Sequence, residues 1–186
     1  MEFRVMSRHL AEQYVSQKHD EKYAVISISN VRGDRAFLQK IAVPDCGMVA
    51  CLSLAFDDVY IGESYGVAMT DTQAQAIIGF VEGKLDKVDF FIVHCEAGQS
   101  RSAGVAAALS KWINGEDWDY FLSPKYTPNS YCYQTILKWA YPKKPLTKED
   151  KEEILHKVIV NQNLDCDWDV VYDKFGTPIE VKEICQ

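Results

Sequence analysis

The stretch VDFFIVHCEAGQSRSAGVAAALSKWI, residues 88–113, decides the fold of this chain. It opens with an apolar run, VDFFIV (88–93), and closes with an alanine-rich run, AGVAAALSKWI (103–113). An apolar run without a polar face is typical of a strand covered on both sides, and alanine favours a helix. HCEAGQSRS (94–102) therefore lies where a buried strand passes into a helix.

Strand and helix candidates alternate over the first 141 residues. Four runs rich in β-branched or aromatic residues predict strands: 3–6, 23–29, 49–56 and 88–93. Four stretches with apolar residues at helical spacing predict helices: 7–17, 70–83, 101–113 and 130–141. The alternation, with an all-apolar last strand, predicts an α/β fold whose central, mostly parallel sheet is flanked by helices.

Capping residues mark the ends of these helices. Ser7 is a candidate cap for the first helix, and Thr70 with Gln73 forms a candidate capping box. Gly83 and Gly115 are candidate stops. The apolar residues of the first helix that fall on one predicted face are Leu10, Ala11, Tyr14 and Val15.

The composition changes at Pro142. PKKPLTKED (142–150) is typical of a linker, and a helix is predicted over 148–160. Two short strands are predicted within 165–184, around a Gly-Thr-Pro turn. We therefore divide the chain into a domain over 1–141 and an extension over 142–186, and expect the extension to pack on the core.

The composition argues against a disordered chain, against a nucleic-acid or membrane partner, and against a secreted protein with disulfides. Hydrophobic residues make up 47% of the chain, which is enough for a core, and the net charge of −7 comes without a block of Lys and Arg. Neither a nucleic acid nor a membrane is therefore an expected partner. No signal peptide or membrane-spanning run is legible, and six scattered cysteines without a C-x-x-C pair predict reduced thiols in a cytoplasmic protein.

The loop at 94–102 combines groups that suit a bound phosphate. Backbone N–H groups and the dipole of a helix N-terminus bind anions, and the same field stabilises a thiolate at Cys95. Arg101 can hold two phosphoryl oxygens with its planar fork, and Gly98 lets the backbone curl around a tetrahedral anion. Ser102 can donate its hydroxyl to the sulfur, while His94 is placed to orient the loop from behind. No metal or other cofactor is expected.

HCEAGQSRS resembles the phosphate-binding loop of the protein tyrosine phosphatase superfamily: His-Cys, five residues, Arg, then Ser or Thr. The Ala97-Gly98 pair and Ser100 are most similar to the dual-specificity branch, and the resemblance extends over residues 20–141. It implies a cysteine-phosphatase-like fold and hydrolysis through a phosphocysteine, with Cys95, Arg101 and Ser102 at the centre. The implied phosphate-binding residues are Glu96, Ala97, Gly98, Gln99, Ser100 and Arg101.

The general acid is expected among two adjacent aspartates. The resemblance implies an Asp about thirty residues before the cysteine, and AFDDVY (55–60) carries Asp57 and Asp58 after the third predicted strand. We favour Asp58, because it lies further along the exit from the strand, and keep Asp57 as the alternative. A solvated acidic turn is the competing interpretation of both. Asp71 fits a helix start better.

A second, weaker similarity lies at TPNSYCYQTIL (127–137). Dual-specificity phosphatases often carry Pro-Asn near the start of the helix that follows the catalytic-loop helix, and here the pair is Pro128-Asn129.

Three functions remain open from the sequence. The first is a phosphatase acting on phosphotyrosine and phosphoserine or phosphothreonine of proteins. The second is a phosphatase of non-protein esters, such as phosphoinositides or RNA 5′ ends, which the absence of Lys and Arg from 96–100 disfavours. The third is a non-catalytic module that binds phosphate or docks a partner. A reversible bridge between Cys95 and Cys51 is a further hypothesis, because members of the family often protect their nucleophile with a second cysteine.

Overall fold

A computed structural model describes residues 1–33, 38–60 and 65–141, together with two strands of the C-terminal part. The chain divides into two compact units, Met1–Tyr141 and Pro142–Gln186. The first unit holds the predicted α/β core, and each unit is described by itself.

The core of the first unit is a four-stranded parallel sheet. Its strands are β1 (Glu2–Ser7), β2 (Tyr23–Ser29), β3 (Met48–Ala55) and β4 (Phe90–Cys95). Their order is β1-β4-β2-β3, and every neighbouring pair runs parallel. All residues of β2 and β4 are buried. The predicted α/β fold, with its apolar last strand at the centre, is confirmed.

Strand β4 begins two residues later than predicted and includes the cysteine. Asp89 precedes the ladder, because its carboxylate accepts from the Lys22 N–H at 2.7 Å and fixes the entry to the strand. The ladder continues to the end because Met6 and Ser7 of β1 pair with His94 and Cys95. The cysteine is therefore the last residue of a central strand, at the carboxyl end of the parallel sheet.

Within 1–33, 38–60 and 65–141, six helices surround the sheet: α1 (Arg8–Val15), α2 (Leu38–Ile41), α3 (Asp71–Glu82), α4 (Arg101–Asn114), α5 (Trp118–Phe121) and α6 (Ser130–Ala140). The short α2 and α5 are not predicted by the sequence. Alternate residues of β4 face opposite sides, as a strand requires. Phe91 and Val93 pack with α3, α4 and α6, whereas Phe90 and Ile92 pack with α1 and α2.

The capping predictions are confirmed. Ser7 Oγ accepts from the Leu10 N–H, Thr70 and Gln73 form a reciprocal capping box, and α4 ends at Gly115 with φ +80°. The predicted apolar face of α1 is wrong at Leu10, which is 53% exposed. An eight-residue helix on a sheet buries only a narrow stripe, and here that stripe contains Ala11 and Val15.

In the second unit the structure describes two strands, β5 (Trp168–Tyr172) and β6 (Pro178–Glu183), which pair antiparallel. They are the two strands that the sequence predicts within 165–184. The predicted helix at 148–160 and most of the Gly-Thr-Pro turn lie outside the described residues. Packing of the extension on the core stays a prediction.

Candidate active site

The candidate site lies at the carboxyl edge of the parallel sheet. All four strands of the first unit end at this edge, so the chain segments that follow them meet there. Residues 96–100 connect β4 to the N-terminus of α4, and 56–60 follow β3. The sheet thus brings the cysteine loop and the two aspartates together from distant parts of the sequence.

The cysteine loop, residues 95–101, packs against the junction of β1 and α1. Gly98 has φ +70°, and a Cβ at this position would collide with the backbone of Met6 and Ser7. The Arg8 N–H donates to the Glu96 carbonyl at 3.1 Å. Glycine is therefore required at 98 both for its conformation and for this close approach.

A second segment braces the loop from the other side. The Thr127 N–H donates to the Gln99 carbonyl at 3.0 Å, and the Asn129 N–H donates to the Ser100 carbonyl at 3.1 Å. Loop carbonyls are thus engaged by neighbouring segments on both sides. Holding the carbonyls outward is what a loop needs in order to aim its N–H groups at an anion.

Cys95 forms the floor of the loop. Its side chain is almost fully buried, and Sγ lies 3.1 Å from the hydroxyl oxygen of Ser102, in the first turn of α4. The N-terminus of a fourteen-residue helix therefore lies next to the sulfur, and its dipole favours a negative charge there. These groups can stabilise a thiolate, or the same sulfur as a leaving group.

Arg101 is a buried cation that no carboxylate of the described residues contacts as an ion pair. It is 4% exposed, and Nη1 donates to the Phe56 carbonyl at 2.7 Å. Its Nε is buried and finds no hydrogen-bond acceptor in the described part of the chain. A buried charge left in this state is costly unless an anion binds to it. Arg101 is therefore a fixed cation suited to an oxyanion.

His94 lies behind the loop and is fully buried. Its Nε2 is 2.8 Å from the hydroxyl oxygen of Ser27 on β2. Burial lowers the pKa of His94 to about 4, so the imidazole is neutral at pH 7. A neutral ring bonded to the neighbouring strand holds the end of β4 and offers no charge to the reaction.

The two aspartates make different contacts. Both carboxylate oxygens of Asp57 accept from backbone N–H groups: Oδ1 from Val31 at 3.0 Å, and Oδ2 from Val67 at 2.9 Å. These two hydrogen bonds, led by Val67, lower the pKa of Asp57. Asp57 therefore joins the segments that follow β2 and β3.

Asp58 points to the cysteine loop. Its Oδ1 accepts from the Ser100 hydroxyl and from the Asn129 side-chain amide, each at 2.8 Å. Of the two candidate acids, Asp58 is thus the one whose carboxylate contacts the loop. Asp71 begins α3, as predicted.

The sequence did not single out several residues that shape the site. The Tyr60 hydroxyl lies 2.9 Å from Ser100 Oγ, and Ser27 holds His94. The sequence marks Asn129 only as half of a Pro-Asn pair and does not indicate its contact to Asp58. A polar residue at a helix N-cap was the available signal for Asn129, and an isolated serine or tyrosine gives none.

The hypothesis of a Cys51–Cys95 bridge is wrong. Cys51 on β3 is aligned with Val25 on β2, which is aligned with Ile92 on β4, so two strand spacings separate it from the strand of Cys95. That separation alone is about 10 Å, beyond the reach of a disulfide. The two cysteines also pack on opposite faces of the sheet. The free thiols of the described residues are Cys46, Cys51, Cys95 and Cys132.

A cleft of about 210 Å³ lies at the far end of α4. The helix has fourteen residues, which places the cleft about 20 Å from the cysteine loop at 1.5 Å per residue. Its acidic lining residues are Glu2, Glu116, Asp117 and Asp119. Because four carboxylates repel a phosphate, this cleft does not compete with the loop as an anion site.

The described residues contain neither a metal-binding cluster nor a membrane-spanning helix. Within 1–33, 38–60 and 65–141 and the two C-terminal strands, no three His, Cys, Asp or Glu side chains are grouped so that they could hold a metal ion. No helix in the same residues is both long enough and apolar enough to cross a membrane.

Comparisons with known proteins give matches to solved structures only. No family model matches the chain, and no curated protein matches its sequence. Four chains of solved structures do match, among them the crystal structure of Tk-PTP in the active form. That match has 13% identity and a TM-score of 0.36, and it covers 84% of this chain and 88% of the other. A TM-score this low carries no weight for function, which has to be argued from the loop itself.

Proposed function

We propose that this chain is a cysteine-dependent phosphatase with a cysteine-phosphatase-like fold, of the protein tyrosine phosphatase superfamily. The observation that carries the proposal is Arg101, a buried cation with an unpaired Nε beside a buried cysteine at a helix N-terminus. A bound oxyanion would supply the partner that the Arg101 guanidinium needs. A phosphoryl group bound there lies in reach of Cys95.

The proposed reaction has two steps. The Cys95 thiolate attacks phosphorus, an S–P bond forms, and the bond to the leaving oxygen breaks while Asp58 gives that oxygen a proton. Water then attacks the phosphocysteine, Asp58 takes a proton from it, and the S–P bond breaks. The Ser102 hydroxyl, 3.1 Å from Sγ, donates a hydrogen bond to the departing sulfur. Arg101 and the loop N–H groups hold the phosphoryl oxygens throughout.

The proposed substrates are phosphotyrosine and phosphoserine or phosphothreonine side chains of proteins. The loop residues 96–100 contain no Lys or Arg, and Glu96 is more than half exposed. Glu96 pairs with Arg8 at 3.7 Å, so this ion pair adds no net positive charge that would favour substrates with several phosphates, such as phosphoinositides or RNA 5′ ends. A singly phosphorylated side chain needs the fewest cations.

Turnover of 4-nitrophenyl phosphate between pH 5 and pH 7 tests the proposal. Cys95→Ser should abolish release of 4-nitrophenol but keep binding of vanadate, whereas Arg101→Ala should lose both. A wild-type chain that binds vanadate without any turnover would contradict the proposal and leave the non-catalytic phosphate-binding module.

A further inference from the structure

The side chain of Asn129 joins the acid, the cysteine loop and α6. It is fully buried at the N-cap of α6, where Oδ1 accepts from the Cys132 N–H at 2.9 Å. The cap occupies the amide oxygen and thereby fixes which way the amide faces. Its Nδ2 therefore donates to Asp58 Oδ1 at 2.8 Å and to the Val59 carbonyl at 3.0 Å.

A chain of two hydroxyls reaches the same carboxylate oxygen. Ser100 donates its single hydroxyl proton to Asp58 Oδ1 at 2.8 Å. Because that proton is used, the Tyr60 hydroxyl, 2.9 Å from Ser100 Oγ, is the donor of the next bond. The hydrogen bonds thus run from Tyr60 to Ser100 to Asp58.

Two donors on one oxygen decide where an acidic proton can be. Asp58 Oδ1 accepts from Ser100 and Asn129, so the proton of the acid form has to be on Oδ2. We propose that Asn129 is a positioning residue, which together with Ser100 fixes the Asp58 carboxyl with its proton on Oδ2, for delivery to the leaving oxygen. This inference deepens the proposed function and rests on it.

The substitution Asn129→Ser separates positioning from capping. Serine is a good N-cap, so the Cys132 N–H keeps an acceptor, but serine has no amide nitrogen to hold Asp58. With phenyl phosphate, whose leaving group needs a proton, we expect kcat/KM, which reports the first step, to fall about tenfold, the value of one hydrogen bond. With 4-nitrophenyl phosphate, whose leaving group is stable as an anion, the rate should change less than about twofold.

A double-mutant cycle tests whether the effect passes through Asp58. In an Asp58→Asn background, Asn129→Ser should cost nothing further on phenyl phosphate, because the proton that it positions is gone. Tyr60→Phe is the matched change at the far end of the hydroxyl chain, and its smaller loss should show the same dependence on the leaving group. Unchanged vanadate binding by each variant controls for damage to the loop.

Two results would overturn the inference while leaving the phosphatase in place. One is an equal loss of kcat/KM on both esters, and the other is an additive loss of kcat/KM in the double mutant; either makes Asn129 a structural residue only. A wild-type chain that turns over neither ester removes the proposed function and this inference together.

Discussion

At the scale of single residues, two neighbouring carboxylates with the same chemistry have different contacts. Asp57 ties two loops together through backbone N–H groups, and Asp58 contacts Ser100 and Asn129. Asp58→Asn should lower kcat/KM, which reports the first step, about a hundredfold on phenyl phosphate, within the usual contribution of an acid catalyst, and much less on 4-nitrophenyl phosphate. Steady-state kinetics on both esters measure the difference.

Asp57→Asn is the matched control. An asparagine turns an NH₂ group toward one of the two N–H donors, so the substitution should lower the urea midpoint of unfolding and reduce both rates equally. If Asp57→Asn instead shows the leaving-group dependence, the two roles are exchanged.

His94 predicts a loss of stability in mild acid. Its pKa is about 4 in the folded chain, against about 6.5 for an exposed histidine, so between these values the unfolded chain binds a proton that the folded chain does not. Stability should therefore be full above pH 6.5 and fall by about 2 kcal/mol from pH 7.5 to pH 5. Urea unfolding at the two pH values measures the change.

The matched variant is His94→Gln, which cannot titrate but can still bond to Ser27. The pH dependence should largely disappear in it. Asp57 does not confuse the result, because a carboxylate with a lowered pKa loses its stabilisation only below the ordinary range near pH 4. The same slope in both proteins would exclude His94 as the cause.

At the scale of elements, local patterns predict the helices and strands well. An apolar run gave β4, and the Thr70–Gln73 box gave the start of α3, because these signals lie within a few residues. Leu10 was misplaced because the pattern of an eight-residue helix does not say how wide its buried stripe is. The Asp58–Asn129 bond joins residues 71 positions apart, and no local pattern records such a contact.

Two glycines inside helices should respond oppositely to alanine. Gly104 in α4 lies so close to Asn129 that a Cβ would collide with its backbone carbonyl, whereas a Cβ on Gly79 in α3 would meet nothing within 4 Å. Gly79→Ala should stabilise the chain by about 0.5–1 kcal/mol, the helix propensity of alanine over glycine. Gly104→Ala should destabilise it despite the same propensity, and should lower turnover because Asn129 moves. Thermal unfolding of both variants measures the two effects. Equal shifts of the unfolding temperature would contradict the close packing of Gly104 on Asn129.

At the scale of the whole molecule, a group that the proposed function needs should lower the stability of the unliganded protein. Arg101 is buried and no carboxylate of the described chain contacts it as an ion pair, so Arg101→Met should raise the unfolding temperature of the unliganded protein. Vanadate should stabilise the wild type by about 2.7 kcal/mol at a hundred times its Kd, and should not stabilise the variant. Differential scanning calorimetry with and without vanadate measures both effects. A variant that is less stable than the wild type without vanadate would show that Arg101 is compensated.

The contact of Gly98 with the backbone of Met6 and Ser7 has a consequence for how activity is lost. Among the described strands, the one that carries Met6 is at the edge of the sheet, with backbone groups that no neighbouring strand pairs on one side. Local opening of this strand removes the backbone against which Gly98 packs and also the pairing of Ser7 with Cys95, so the catalytic loop loses its shape while the other strands stay paired. Inactivation should thus precede global melting, as a local event at the rim of an otherwise intact sheet.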